Sequence, residues 1–217
     1  MGLAIFDLDN TLLAGDSDYL WGQFLVDRQI VNKDLYEEAN AKFYEDYKNG
    51  TLNIQEYLEF ALKPLAQNDT STLVMLHHEF MEECILPIIL PKAKELIEKH
   101  REAGDTLLVI TATNRFITGP IVKHLGIDNI LATEPEMIAG QYTGKYIGTP
   151  TFQEGKVKAY HEWLDQQTQT FNKTYFYSDS INDLPLLELV TYPIAVDADE
   201  KLTAAAAVKG WKSISLR

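Results

Sequence analysis

A chain of 217 residues, 46% hydrophobic and 24% charged, buries roughly 70% of its unfolded surface on folding and needs neither a disulfide nor a metal staple to do so. Its net charge of -13 argues against nucleic acid or an anionic membrane as partner, and an anionic substrate has to be drawn in by a local positive feature such as a metal, a helix end or a lysine. The single cysteine, Cys84, excludes an internal disulfide and fits a reducing compartment.

The chain opens on Leu3-Ala4-Ile5-Phe6, an apolar run typical of a strand buried on both faces of a parallel sheet. The run stops at Asp7 and Asp9, which alternation along an extended backbone sends to the same side. Two such charges repel unless a cation or a shared proton relieves them. The plain alternative is a turn at Asp9-Asn10 with Asp7 as a helix cap. Neither a basic, apolar leader at the start nor a span-length apolar stretch is seen, since Ile85–Pro91 is too short to cross a bilayer. A cytoplasmic protein is expected.

From about Ala14 to Pro91 the spacing predicts four helices. The first carries Tyr19, Leu20, Phe24 and Leu25 after a cap at Asp16 or Ser17, and the second Leu35, Ala39, Phe43 and Tyr47 up to Asn49-Gly50. Asn53 with Glu56 three residues on opens the third, Ile54 to Leu65, and Thr70-Ser71-Thr72 precedes the fourth, with Leu73, Leu76, Phe80, Met81 and Cys84.

Helix and strand then alternate. Pro91 starts a helix that Gly104 ends, and Thr106–Thr111 is a buried strand. Asn114–Leu125 is the next helix, Ile130–Ala132 a short strand, and Met137–Ile147 a β-hairpin. A helix from Phe152 to about Gln167 leads to strands at Thr174–Ser178 and Tyr192–Val196. Such alternation implies a parallel sheet with right-handed crossovers. The expected fold is α/β: a Rossmann-like parallel-sheet core from residues 1–13 and 91–217, with residues 14–90 inserted as a small helical-bundle cap.

Ligands of an open α/β sheet bind beyond the carboxyl ends of its strands. Asp7 and Asp9, Thr111, and Ser178-Asp179 fall there, with Asp183 four residues further on at the start of a helix. Converging carboxylates, as hard oxygen ligands, favour Mg²⁺. Other motifs are missing. Gly155-Lys156-Val157 lacks the spacing and hydroxyl of a P-loop, no Gly-x-Ser-x-Gly elbow exists, and Cys84 lies on an apolar helical face. The histidines, His77-His78 included, lack zinc-ligand spacing and read as surface or cap residues.

In order, Asp7-Leu8-Asp9-Asn10-Thr11, Thr111, Lys156 and Asp179-Ser180-Ile181-Asn182-Asp183 resemble the four-part signature of the haloacid dehalogenase superfamily of phosphohydrolases. The insertion after the first part is similar to the cap of the phosphoserine-phosphatase-like branch. The resemblance implies that Asp7 attacks phosphorus to form an aspartyl-phosphate and that Asp9 protonates the leaving alkoxide, then deprotonates water. It implies Mg²⁺ on the carboxylates of Asp7 and Asp179 and the backbone carbonyl of Asp9. Thr111, with Ala112 beside it, then meets a phosphoryl oxygen, Lys156 sets a cation against phosphate and nucleophile, and Asn182 touches phosphate. Asp183 holds Lys156 or a metal-bound water. Lys158 rivals Lys156, but the resemblance implies Lys156, whose distance to Asp179 fits the family's pattern better.

Phosphoserine phosphatases usually carry a Glu nine residues after the nucleophile to meet the substrate ammonium; here that position is Asp16. They also use a cap arginine for the substrate carboxylate, whereas this chain has no arginine between Asn32 and His100, leaving Arg28 as the only one in the inserted segment. That segment is instead acidic and aromatic. An amine phosphate without a carboxylate suits it, and the expected substrate is histidinol phosphate, since some bacterial histidinol phosphatases belong to this superfamily and open on a similar sequence. Phosphoserine hydrolysis, phosphoryl transfer to another acceptor and non-catalytic phosphate binding remain alternatives. The expected partner is a small phosphate monoester, with no nucleic acid and no membrane, and the chain is expected to be a monomer or homodimer.

Overall fold

A computed structural model describes residues 1–217. Seven strands form one sheet in the order β4-β3-β2-β1-β5-β6-β7. They are β1 (Gly2–Phe6), β2 (Thr106–Asn114), β3 (Asn129–Ile138), β4 (Gln141–Ile147), β5 (Lys173–Ser178), β6 (Tyr192–Val196) and β7 (Lys212–Ile214). All neighbours are parallel except β3 and β4. Strand β1 is central and fully buried, with Phe6 level with Val109 of β2 and Tyr177 of β5. The chain winds outward from β1 in both directions, so the crevice at the carboxyl ends of β1, β2 and β5 is the topological switch point.

Four helices stand between β1 and the next crossover: α1 (Ser17–Asp27), α2 (Lys33–Asn49), α3 (Ile54–Gln67) and α4 (Thr70–Phe80). Asp16, Asn32, Asn53 and Asp69 cap them by accepting first-turn N–H groups. Helix α4 runs on through a wider turn at Met81–Ile85 and a tighter one at Leu86–Ile88. The two ends of this segment meet: Ala14 N–H donates to Ile88 O at 2.8 Å and Leu90 N–H to Leu12 O at 3.2 Å. The remaining helices are α5 (Pro91–Glu102), α6 (Arg115–His124), α7 (Glu154–Leu164), α8 (Leu184–Leu187) and α9 (Glu200–Lys209). No helix is long and apolar enough to cross a membrane.

Alternation along β1 divides the core. Ala4 and Phe6 enter a cluster on one face of the sheet, Leu3 and Ile5 a second cluster with Phe176, Leu186 and Leu187 on the other. The first cluster also takes in Trp21, Phe24, Leu25, Leu76 and Phe80. Helices α1 and α4 therefore share the core of the sheet, at roughly 1.5–3 kcal/mol for each large side chain buried. Helix α3 packs separately, its Leu58, Leu62 and Leu65 meeting Leu73 and lying against Tyr142 and Tyr146 of β4.

Several sequence expectations need correction. His77 and His100 are buried, not surface residues: His77 Nε2 meets Ile117 O at 2.9 Å, and His100 lies between Asp105 and the Tyr177 hydroxyl at 2.8 Å each. Helix α4 includes the Thr70-Ser71-Thr72 cluster expected to precede it, starting at Thr70 with Asp69 as its cap. Leu35 faces solvent while Tyr36 is buried. The short strand and the hairpin expected after α6 are one long strand, β3, folded onto β4 at Ala139-Gly140, where both residues have positive φ. Helix α9 and strand β7 were not anticipated, because the Ala204–Ala207 run carries little amphipathic signal.

Candidate active site

The extended backbone of β1 continues one residue, Asp7 N–H donating to Tyr177 O at 2.9 Å. This aims the buried Asp7 carboxylate at the switch point. Its Oδ1 accepts from Lys156 Nζ at 2.8 Å, and the same ammonium reaches Asp183 at 2.7 Å. Lys156 itself is only 2% exposed, within the first turn of α7. The bend before it is tight: a Cβ on Gly155 would lie 1.9 Å from Pro150 O, so only glycine fits there. Ser178 Oγ donates to Asp183 Oδ2 at 2.6 Å. Asp179, at the end of β5, accepts from Thr11 Oγ1 at 3.1 Å. Asp199, the cap of α9, donates its N–H to Asp179 O at 2.8 Å and accepts from Ile181 N–H at 2.8 Å, which holds the loop.

Asp9 is gripped at both oxygens. Oδ1 accepts from Ser17 N–H of α1 at 2.7 Å, and Oδ2 from Thr113 Oγ1 of β2 at 2.9 Å. Asp16 caps the same helix, its Oδ1 taking the N–H groups of Asp18 and Tyr19 at 2.9 Å each. Thr111 Oγ1 accepts from Thr113 N–H at 3.2 Å, which leaves its own proton available to a ligand. Asn182 is already committed: its amide donates to Tyr47 O at 3.0 Å, and its Oδ1 accepts from Gln153 at 3.1 Å. Lys158 points away to Thr149 and Glu162.

Burial dominates the electrostatics. It raises the Asp7 carboxyl to about 7, against the pull of Lys156 and with a further push from Asp183. Asp179 is lifted well above the carboxylate range by burial and by Asp7 and Asp183. Asp9 rises to about 7 through burial and the charge of Asp16. Lys156 stays firmly protonated: burial works against its charge, but Asp183 and Asp7 more than offset it. Three packed carboxylates (Asp7, Asp179 and Asp183) thus face one ammonium, an excess of negative charge that fits a divalent cation with oxygen ligands. No three His, Cys, Asp or Glu side chains form a cage by themselves; the expected set takes its third oxygen from the Asp9 carbonyl.

A small cavity adjoins Asp7 and Asp9, with Thr111, Ala112 and Thr113 on its β2 side. Its outer wall combines Asp16 and Asp18 with rings from α1, α2 and α3, among them Tyr19, Phe43, Tyr44 and Tyr57. No lysine, arginine or histidine lines it. Arg28 is remote, paired with Glu79 and Glu83. The cavity therefore unites Asp7, Asp9, Asp16, Thr111 and Ala112, while Lys156, Asp179, Asn182 and Asp183 form the wall behind Asp7. Sequence reading left out Thr113, Asp18 and Asp199 as site residues. Thr113 had a signal, lying two residues beyond Thr111 on the same strand face; the others depend on how helices pack.

Residues 4–188 match the family model for haloacid dehalogenase-like hydrolases. The chain is 47% identical to a histidinol-phosphatase of Neisseria meningitidis serogroup C, over 99% of each chain. It is 31% identical to a phosphoserine phosphatase of Mycobacterium tuberculosis, over 96% of this chain and 69% of that one. Among solved structures, a protein of unknown function from Bordetella pertussis Tohama I superposes with a TM-score of 0.93 at 41% identity, covering 99% of this chain and 98% of that one. A phospho-aspartyl intermediate analogue of phosphoserine phosphatase superposes at 0.73 with 18% identity, over 100% and 93%; that likeness concerns the fold.

Proposed function

The chain belongs to the haloacid dehalogenase-like hydrolases and is a phosphatase, and from this we propose that it is a Mg²⁺-dependent phosphomonoesterase acting through an aspartyl-phosphate on histidinol phosphate. The observation that carries the substrate is the cavity beside Asp7, acidic and aromatic with no cation on its wall. A leaving group bearing an amine is stabilised there, whereas the phosphoserine carboxylate would meet Asp16 and Asp18 with nothing to pair it. The 47% identity to a histidinol-phosphatase supports the same choice.

The chain's own groups supply the steps. The Asp7 oxygen not held by Lys156 attacks phosphorus; a P–O bond forms to Asp7 as the ester P–O bond breaks. Asp9, whose carboxyl is pushed up by burial and by the charge of Asp16, gives its proton to the leaving alkoxide. In the second half it takes a proton from the water that displaces Asp7 from phosphorus. General acid–base catalysis of this kind contributes about 10²–10⁴-fold. Lys156 and the Thr111 hydroxyl steady the phosphoryl oxygens. Asp7, Asp179 and the Asp9 carbonyl would hold Mg²⁺, which when bound supplies positive charge against the phosphate.

Residues 14–90 act in this proposal as the cap, and residues 1–13 and 91–217 as the catalytic core. Contacts of Asn182 with Tyr47 O and of Lys201 with Asn49 O at 3.0 Å each support a cap resting on the core. Asn182 then serves by holding α2 down over the phosphate site. Phosphate release from histidinol phosphate, phosphoserine and an aryl phosphate tests the reading. Histidinol phosphate should be preferred, with turnover lost in Asp7→Asn and in EDTA. Feeble, similar rates on all three would remove the substrate assignment, and turnover surviving in Asp7→Asn would remove the mechanism.

A further inference from the structure

Two acids of the cavity wall each keep an oxygen free of protein partners. Asp16 spends Oδ1 on the first turn of α1, which leaves Oδ2. Asp18 accepts the Tyr57 hydroxyl at Oδ2, and no protein donor meets its Oδ1. The two differ in position. Asp16 lies closer to the reacting groups, its charge being the main one acting on Asp9. Asp18 is tied by Tyr57 to α3, on the side of the cavity formed by Phe43, Tyr57 and Ile54. Tyr57 is itself braced edge-on by Phe43, with ring centres 5.4 Å apart.

The Tyr57 hydroxyl is one neutral donor, and the carboxylate it holds has no cation beside it. Burial accordingly raises Asp18 to about 7. A carboxylate so placed gains from a protonated or N–H-bearing nitrogen far more than from a neutral group, and the aromatic rings lining the same cavity are groups that a nitrogen heterocycle packs against.

Resting on the substrate reading above, we propose that Asp18, oriented by Tyr57, is the specificity residue for a second nitrogen centre at the far end of the leaving group. Asp16 meets the amine nearer the ester, and Asp18 accepts an N–H from a ring, as in an imidazole. The preferred substrate class is then a phosphate ester whose alcohol carries two basic nitrogens, one aliphatic and one heterocyclic. Tyr57 is a positioning residue, acting only through Asp18.

The test compares kcat/KM of the parent, Asp18→Asn and Tyr57→Phe on histidinol phosphate, with two nitrogen centres, and on O-phosphoethanolamine, with one. Loss of a charge-assisted hydrogen bond should lower the ratio between the two substrates by about 10- to 100-fold in Asp18→Asn, through KM on histidinol phosphate. Tyr57→Phe, which keeps the ring packing, should lower it less and in the same direction. If both substrates decline in parallel, the pair merely joins α1 to α3 and the inference is overturned while the substrate reading stands. If the parent itself shows no preference for histidinol phosphate, the substrate reading fails and the inference with it.

Discussion

Asp9 shows how the site divides its work among single residues. In the proposed mechanism Asp9 gives a proton and takes one back, which requires it to be held in one place in both states, and two donors from different elements hold it. Ser17 N–H comes from the helix that follows, Thr113 from the neighbouring strand. Replacing Thr113 by Val removes one donor at nearly constant shape. On an alkyl phosphate, whose leaving group needs the proton, turnover should fall about 10-fold or more, within the range ascribed to acid–base catalysis. On p-nitrophenyl phosphate, which leaves readily as an anion, the loss should be smaller, and Thr113→Ser should recover most of it. An equal loss on both substrates would mean that Thr113 supports the strand and not the acid.

At the scale of elements, the placement of Lys156 depends on the bend that opens α7. Gln153 has φ 49° and Gly155 sits against the Pro150 carbonyl, so the chain reverses sharply before delivering the lysine to Asp7 and Asp183. The neighbour is backbone and cannot swing aside. Gly155→Ala should therefore push the start of α7 outward, cost about 1–3 kcal/mol as overpacked sites do, and lower kcat because the ammonium is displaced. Thermal melts and steady-state rates on the same preparation check both effects. Unchanged activity in a well-folded variant would show that α7 tolerates the shift. The ends of the inserted segment are tied together, Ala14 to Ile88 and Leu12 to Leu90, and the helices α1 and α4 between them are packed into the core of the sheet.

For the whole molecule, the acidic site sets a pH dependence of stability. Asp18 has an ordinary value of 3.8 and is raised to about 7 in the fold, first by burial. Between those values the folded protein holds a proton that the unfolded chain has released, so stability falls as pH rises. The penalty is absent below the unfolded value and complete above the folded one. Asp9 and Asp16, raised to about 7 and about 6, act in the same direction. Relative to the parent, Asp18→Asn should therefore melt at higher temperature at pH 8 than its relative position at pH 4 suggests. The same offset at both pH values would show that Asp18 has no such shift.

The sequence by itself determined what depends on near neighbours along the chain. Continuous apolar runs marked β1, β2, β5 and β6 as strands buried on both faces, and apolar spacing near 3.6 residues marked the four inserted helices, whatever the partner. Asp7 and Asp9 were legible as a pair at a strand end, and Asp16 as a cap, for the same reason. The ordered signature added Thr111, Lys156, Asp179 and Asp183. Tertiary structure decided what each of these touches, since the partners come from far along the chain. Thr113 and Asp9 are 104 residues apart, Lys156 and Asp7 149, and Thr11 and Asp179 168. Strand order and register bring them together, and local spacing carries neither. The same holds for the buried His100, whose ring meets the Tyr177 hydroxyl from 77 residues further along the chain. It holds above all for the cavity: α1, α2 and α3 each show an aromatic face in sequence, but only their packing turns those faces, with Asp16 and Asp18, toward Asp7.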